Sequence, residues 1–213
     1  ICQGPFQTAV ASRFCGLAAT PYGAGPHHEK TPVKEAGDLK DKNVNELAQM
    51  ASSSSPNEAA IGMATINSLV EVDEQRCVEL NAGGLLAEKG RNKKVALVGH
   101  FPFVPDLRQA VGELRVIERQ PQAGDFPEEQ AEEIIPEAQV VGITGTAFTN
   151  HTIEHLLRLC ELQAYVLILG GTAPLSPVLF NYGSNAISGT QVLDPEMVLR
   201  CVSQGATFRQ IKG

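Results

Sequence analysis

The sequence predicts an α/β protein: a small α+β unit over residues 1–90, then a parallel-sheet unit over residues 91–213. Three observations carry this. The stretch Lys93–Pro102 (KKVALVGHFP) sets a charged entry before an apolar run, Val95–Gly99, that stops in a turn. Short β-branched runs ending in Gly read as buried parallel strands. Comparable runs follow at Gln139–Thr144, Tyr165–Leu169 and Asn185–Ser188, each running into Gly or Thr and then into helical sequence. The opening residues differ: two apolar runs, Phe6–Val10 and Phe14–Ala18, flank Ala11-Ser12-Arg13 and predict a hairpin.

After the hairpin comes Thr20–Lys42, rich in Gly, Pro and charge, a loop too long to be a mere connector. Asn43–Ala51 has helical composition, with Asp41 or Asn43 as its cap. Pro56–Val70 is a clear helix: Pro56 suits the first position, Glu58 the first turn, and Ile61, Thr65 and Leu69 form a stripe. Gly62 inside it is tolerable if another backbone packs close. A mixed connection, Glu71–Asn92, holds one more short helix near Leu85–Lys89.

The second unit then alternates strand and helix. Helices are expected near Val104–Gly112, near Pro127–Ile134, over Asn150–Leu162, near Pro177–Tyr182 and over Pro195–Ser203, with a further strand at Leu114–Glu118. Ala206–Ile211 could add an edge strand. Right-handed crossovers give a parallel sheet with its strand ends along one edge, where ligands of open α/β sheets bind.

Composition bounds the function. The chain has 213 residues, is 43% hydrophobic and 19% charged, and carries a formal net charge of −7 without a basic stripe. Nucleic acid is therefore not an expected partner. No apolar run approaches the roughly 18 residues of a membrane span, and no membrane association is expected. No signal peptide is visible, and a cytoplasmic location is expected. The five cysteines are scattered without a CxxC, which suits reduced thiols better than disulfides or a metal cluster.

Candidate site residues sit at the strand ends. Glu118 ends the second strand of the parallel unit, where an acid often meets a ribose hydroxyl. Asp125, in the loop that follows, could cap the helix at Pro127 or contact a ligand. The two carboxylates, Glu118 and Asp125, are the acid–base candidates. His100 ends the first of these strands, facing the expected crevice, as acid–base or ligand. Thr144, Gly145 and Thr146 precede a helix start near Asn150, a ready anion or carbonyl site. Gly170 and Gly171, with Thr172, expose backbone N–H groups. Neither GxGxxG nor GxxxxGK[ST] is present, so ordinary dinucleotide and phosphate-loop readings are weak.

Two clusters resemble metal sites. His151-Thr152-Ile153-Glu154-His155 spells HxxEH, an inverted zinc-protease motif, but no third ligand can be assigned, and no zinc is expected on His151 and His155. His27-His28-Glu29 lies in the long loop, where exposed residues that bind nothing are the commoner case.

Several phrases together are similar to one family: VGHFPF (98–103), ERQP (118–121) with Gly124-Asp125, ITGTAFTNHT (143–152) and GGTAPLSP (170–177), preceded by GLAAT (16–20) and EAAIGMATINSL (58–69). The chain resembles the putative heavy-metal chelation family over nearly its whole length. That resemblance implies an enolase N-terminal-like domain followed by a Rossmann-like domain, with a site between them for a pterin-like, flavin-like or metal-chelating molecule. It places ligand-binding roles on Gly99, Glu118, Asp125, Thr144, Gly145, Asn150, Thr152, Gly170, Pro174 and Gly189, and on Thr20 and Asn67 of the first unit. The family does not require His151 or His155. It tends to a hydroxyl where Ala173 stands, so hydrogen bonding there is expected to differ.

Two functions follow as expectations. One is an enzyme that condenses or hydrolyses a small heterocycle. The other is a carrier of a metal or metal chelate, without turnover. The cofactor is unknown; the partner is a small-molecule ligand or metal chelate, with a homodimer left open. Asn67 either bonds a backbone of its own unit or, with Thr20 and Tyr22, helps the long loop close the cleft.

Overall fold

The computed structural model describes residues 1–21 and 33–211. The HHE cluster at 27–29 and Tyr22 lie outside the described residues.

The first unit is built on a three-stranded antiparallel sheet: β1 (Cys2–Gln3), β2 (Gln7–Ala11) and β3 (Cys15–Ala19), in that order. The expected hairpin is present, with Gln7 opposite Ala19 and Ala11 opposite Cys15. Side chains alternate between the two faces of a strand, and both faces are buried here. Val10 and Ala18 pack with Ala60, Ile61 and Ala64 of helix α2 (Pro56–Asn67). Ala9, Cys15 and Leu17 pack with Val198 and Val202 of helix α8 (Pro195–Ser203). Small residues bring the layers close: a Cβ on Gly16 would stand 2.2 Å from the Ala64 carbonyl oxygen.

Helix α1 (Val44–Gln49) starts in a capping box, with Asn43 and Glu46 satisfying each other's backbone N–H groups. Helix α2 is shorter and more enclosed than the stripe suggested. It stops at Asn67, so Leu69 lies beyond it, and every residue from Glu58 to Thr65 is buried. The sheet covers one side of α2, while α1 and the turn at Met50–Ser52 cover another. Gly62 is the contact point: a Cβ there would meet the Ala51 backbone nitrogen at 1.9 Å.

Helix α3 (Ala82–Gly90) leads into the parallel sheet and packs on it through Leu86, although it precedes residue 91. The sheet contains β4 (Lys94–Val98), β5 (Glu113–Glu118), β6 (Phe126–Pro127), β7 (Val140–Thr144), β8 (Tyr165–Leu169) and β9 (Ala186–Ser188). The order is β6-β5-β4-β7-β8-β9, with every pair parallel. Helices α3 and α4 (Val104–Ala110) cover one face, over Val95, Leu97, Val116 and Leu167. Helices α5 (Ala131–Ile134) and α7 (Ile153–Leu159) cover the other, over Ala96, Ile117, Val141 and Val166. The chain moves outward from β4 through β5 to β6, then returns to lay β7 on the other side of β4. A topological switch point therefore lies between β4 and β7, and the crevice outside it is the usual ligand position of such sheets.

Three local expectations need correction, and a fourth gains its helix type. The helix expected over Asn150–Leu162 is shorter, α7 spanning Ile153–Leu159, and a separate single turn, α6 (Thr146–Thr149), precedes it. Between them His151 has φ +61°, and the Asn150 carboxamide oxygen accepts from the Thr152 N–H and hydroxyl, a local turn that competes with helix. The segment Pro177–Tyr182 is a 3-10 helix ended by Gly183 at φ +91°. Helix α8 leaves the parallel sheet and covers the antiparallel one, because its apolar residues Val198 and Val202 meet Ala9 and Leu17 there. The run near Ala206–Ile211 forms a 3-10 turn, Phe208–Gln210, because Thr207 and Gln210 make a capping box.

Candidate functional site

A cleft of about 620 Å³ opens at the switch point, outside the C-terminal ends of β4, β5 and β7. Its floor is made where β4 ends. Gly99 turns the chain with φ +101°, a left-handed conformation open to glycine, and its Cβ position stands 3.0 Å from Thr144. His100 follows at the lip. Its backbone N–H donates to Glu118 Oε2 at 2.9 Å, while Glu118 Oε1 accepts from the Arg119 N–H at 2.8 Å. The carboxylate that ends β5 thus fixes the turn after β4.

The His100 ring is held from behind. Its Nδ1 lies 2.8 Å from Asp125 Oδ2, and that oxygen also accepts from the Gln122 N–H at 3.1 Å. The Asp125 side chain is 1% exposed against 26% for His100. A buried carboxylate facing Nδ1 selects the tautomer that carries its proton there, which leaves Nε2 as a lone-pair acceptor. The second Asp125 oxygen, Oδ1, is buried without a partner. Asp125 does not cap the turn at Glu128–Gln130; it stands behind the cleft wall, against the His100 ring.

Hydroxyls and carboxylates complete the cleft. Thr144 and Thr146 pair their hydroxyls at 3.0 Å, and Asn150 and Thr152 stand beside them. Glu128, Glu129 and Glu132 project from the segment before and within α5. Arg119 pairs with Glu128 at 3.1 Å, and His155 Nε2 lies 3.7 Å from Glu132. Four carboxylates, counting Glu118, thus face one guanidinium around the cleft. The acidic run was visible in the sequence as Glu128-Glu129 and Glu132-Glu133. A charge run of this kind is usually a solvated face, so its sequence alone does not mark it as a site.

The sequence-derived ligand residues divide into two groups. Gly99, His100, Glu118, Thr144, Thr146, Asn150 and Thr152 meet at this cleft. Apart from Asp125, behind the cleft wall, the others gather at the seam between the units. Thr172 is 2% exposed; its hydroxyl accepts from the Ala19 N–H at 2.9 Å and its carbonyl from Asn67 Nδ2 at 3.2 Å. Thr20 shares a hydroxyl contact with Thr8 at 2.9 Å. Gly145 and Gly189 allow close approach of the segment after β8: their Cβ positions would stand 2.4 Å from Ala173 N and 2.6 Å from Ala173 O. Pro174 is buried beside them. Gly170 has φ +109°, and Gly171 lies under the Phe208 ring, its Cβ position 2.8 Å away.

The seam has its own cavity of about 220 Å³, lined from both units by Cys15, Asn67 and Val70 on one side and Ala173, Leu175 and Val192 on the other. The large cleft is lined by residues between Val98 and Leu156 alone, all in the second unit.

The two histidines of the HxxEH run do not share a helix face. His151 precedes α7 in a left-handed conformation and its Nε2 lies 2.9 Å from the Ser53 carbonyl oxygen, whereas His155 sits on α7. Among the described residues no three His, Cys, Asp or Glu side chains form a group that could hold a metal ion. No helix among them is long and apolar enough to cross a membrane.

A six-stranded parallel sheet with a strand-end cleft, preceded by a small antiparallel sheet with helices on it, defines a two-part α/β protein with a Rossmann-like second half. Two family models, DUF364 and DUF4213, both described as putative heavy-metal chelation, match residues 82–213 and 1–70. The chain belongs to this putative heavy-metal chelation family. It is 28% identical over 192 residues to an uncharacterized protein of Methanocaldococcus jannaschii, covering 83% of this chain and 73% of the relative. It is similar in structure to a DUF364 family protein with unknown function from Desulfitobacterium hafniense, with TM-score 0.83, 26% identity and coverage of 100% of this chain and 85% of that one. A family protein of unknown function from Pyrococcus horikoshii shares the fold, with TM-score 0.77, 19% identity and coverage of 96% and 84%.

Proposed function

We propose that this chain binds a small cationic metal chelate in the strand-end cleft and acts as a chelate carrier. The carrying observation is the charge of that cleft: Glu118, Glu128, Glu129 and Glu132 against Arg119 alone. A concave site lined by one sign of charge concentrates ligands of the opposite sign. A volume of about 620 Å³ suits a ligand of small-molecule size. The hydroxyls of Thr144, Thr146 and Thr152 supply neutral donors and acceptors for the organic part. The family description supports a metal-related ligand.

The test compares two chelates of one metal by calorimetry. Copper(II)–diethylenetriamine is cationic and copper(II)–nitrilotriacetate is anionic. The cation is expected to bind at least about tenfold more tightly, a difference of roughly 1.4 kcal/mol. The preference should shrink in a Glu128→Gln, Glu129→Gln variant. Equal or tighter binding of the anion overturns the proposal. A second reading, turnover by condensation or hydrolysis of such a molecule, is favoured by one feature: the His100–Asp125 pair is a base with its orienting acid.

A further inference from the structure

We propose that His100 Nε2 is the protein's donor to the bound metal, filling one open coordination position of the incoming chelate, and that Asp125 is its positioning residue. This rests on the chelate-binding reading of the cleft.

Three independent features of the structure point here. His100 lines the cleft with its ring part-exposed, and Nδ1 is engaged at 2.8 Å, so Nε2 is the ring nitrogen left to the ligand. The backbone that carries the ring is pinned by the His100 N–H donating to Glu118 Oε2 at 2.9 Å, and the Nδ1 contact with Asp125 orients the ring itself. Asp125 is the third feature. Its side chain is 1% exposed, yet Oδ1 has no partner. A buried carboxylate with an unmet oxygen is incompletely compensated by its own surroundings, and a cation on the far ring nitrogen offsets it. The cation also polarises the Nδ1–H bond and strengthens the hydrogen bond to Oδ2, the usual relation of a carboxylate, a histidine and a bound metal.

The other groups are placed for other roles. Both Glu118 oxygens already accept backbone N–H groups, and Glu128 is paired with Arg119. His155 is directed to Glu132. The carboxylates thus set the field and the imidazole makes the bond. The exchange is simple: water leaves the metal, the Nε2 lone pair takes its place, and no proton is released, because Nε2 carries none in this tautomer.

The experiment uses the full chain with copper(II)–diethylenetriamine, which leaves one equatorial position open. Affinity is measured by calorimetry, and coordination by electron spin echo modulation from the remote imidazole nitrogen, a signal that amine donors do not give. The wild type should show one imidazole per bound copper. His100→Gln should lose that signal and weaken binding about ten- to a hundredfold, while His151→Gln leaves both unchanged. Asp125→Asn should keep the imidazole but shift the remote-nitrogen parameters, since the hydrogen bond on Nδ1 is altered, and weaken binding about tenfold. If the chelate binds and the wild type shows no imidazole signal, or the signal survives in His100→Gln and vanishes in His155→Gln, this inference is overturned while the cleft reading stands. If no cationic chelate binds at all, both fall.

Discussion

Asn67 and Thr172 are tied across the seam between the two units. The Asn67 carboxamide donates one hydrogen to the Thr172 carbonyl at 3.2 Å and the other to the Leu17 carbonyl at 2.8 Å. One side chain at the end of α2 therefore holds the antiparallel sheet and the segment after β8 in a fixed relation. The Thr172 hydroxyl repeats the link by accepting from the Ala19 N–H. Ser53 and His151 form a third link farther out.

Asn67→Ala should accordingly act on stability. It strips partners from two backbone carbonyls, and an unmet buried polar group costs about 1–3 kcal/mol. The loss is moderated because Asn67 Oδ1, itself buried without a partner, disappears with the side chain. Urea unfolding should show a lower midpoint. Chelate affinity of the cleft, measured per folded molecule, should hold, since Asn67 lies at the seam cavity. An affinity loss with unchanged melting would instead make Asn67 a ligand contact.

Glu58 gives a pH-dependent prediction. It is 5% exposed at the start of α2, and accepts from the Ser53 hydroxyl and from the Lys34 N–H at 2.8 Å. The Ser53 bond first, then the Lys34 bond, hold its carboxyl below the usual carboxylate range. A folded-state pKa below the unfolded one adds stability that is present at neutral pH and is lost as pH falls through the folded value. Glu58→Gln should therefore lower stability at pH 7, by about 1–3 kcal/mol. The gap to the wild type should narrow as pH drops below about 4.3, the ordinary glutamate value. Urea unfolding at pH 7 and at successively more acidic pH measures this; a constant gap would mean that the charge of Glu58 contributes nothing.

Much of this fold is written in local pattern. The β8 run Tyr165–Leu169 has the expected limits, β2 and β3 fall within one residue of the expected runs, and Asn43 caps α1 as its position before Val44 suggests. These features depend on neighbours a few residues apart. The placement of α8 does not: its apolar face is legible, but periodicity cannot say which of two sheets that face will meet. The same holds for α3, whose Leu86 joins the parallel sheet's core. At the site, seven of the residues singled out from the sequence stand around one cleft at the strand ends. The His100–Asp125 contact joins residues 25 apart, through a loop whose path only the folded chain fixes. The break at His151 was hidden because Asn150 and Thr152 also suit a helix start.

Thiol reactivity supplies the last prediction, and it bears on which groups can meet a soft metal. The thiolate is the form that attacks electrophiles and binds metals. Burial pushes the Cys160 thiol up to about 11, and burial also raises Cys15. At pH 8 a thiol of that pKa is ionised in only about one molecule in a thousand. Cys160 further donates to the Leu156 carbonyl at 3.4 Å, and Cys15 is packed between β2 and α8. Cys77 is exposed in the connection between the units. Brief iodoacetamide treatment of the native protein, read by peptide mass spectrometry, should label Cys77 first and leave Cys15 and Cys160 until urea unfolds the chain. If Cys160 is alkylated as fast as Cys77, its burial is transient on the timescale of the labelling.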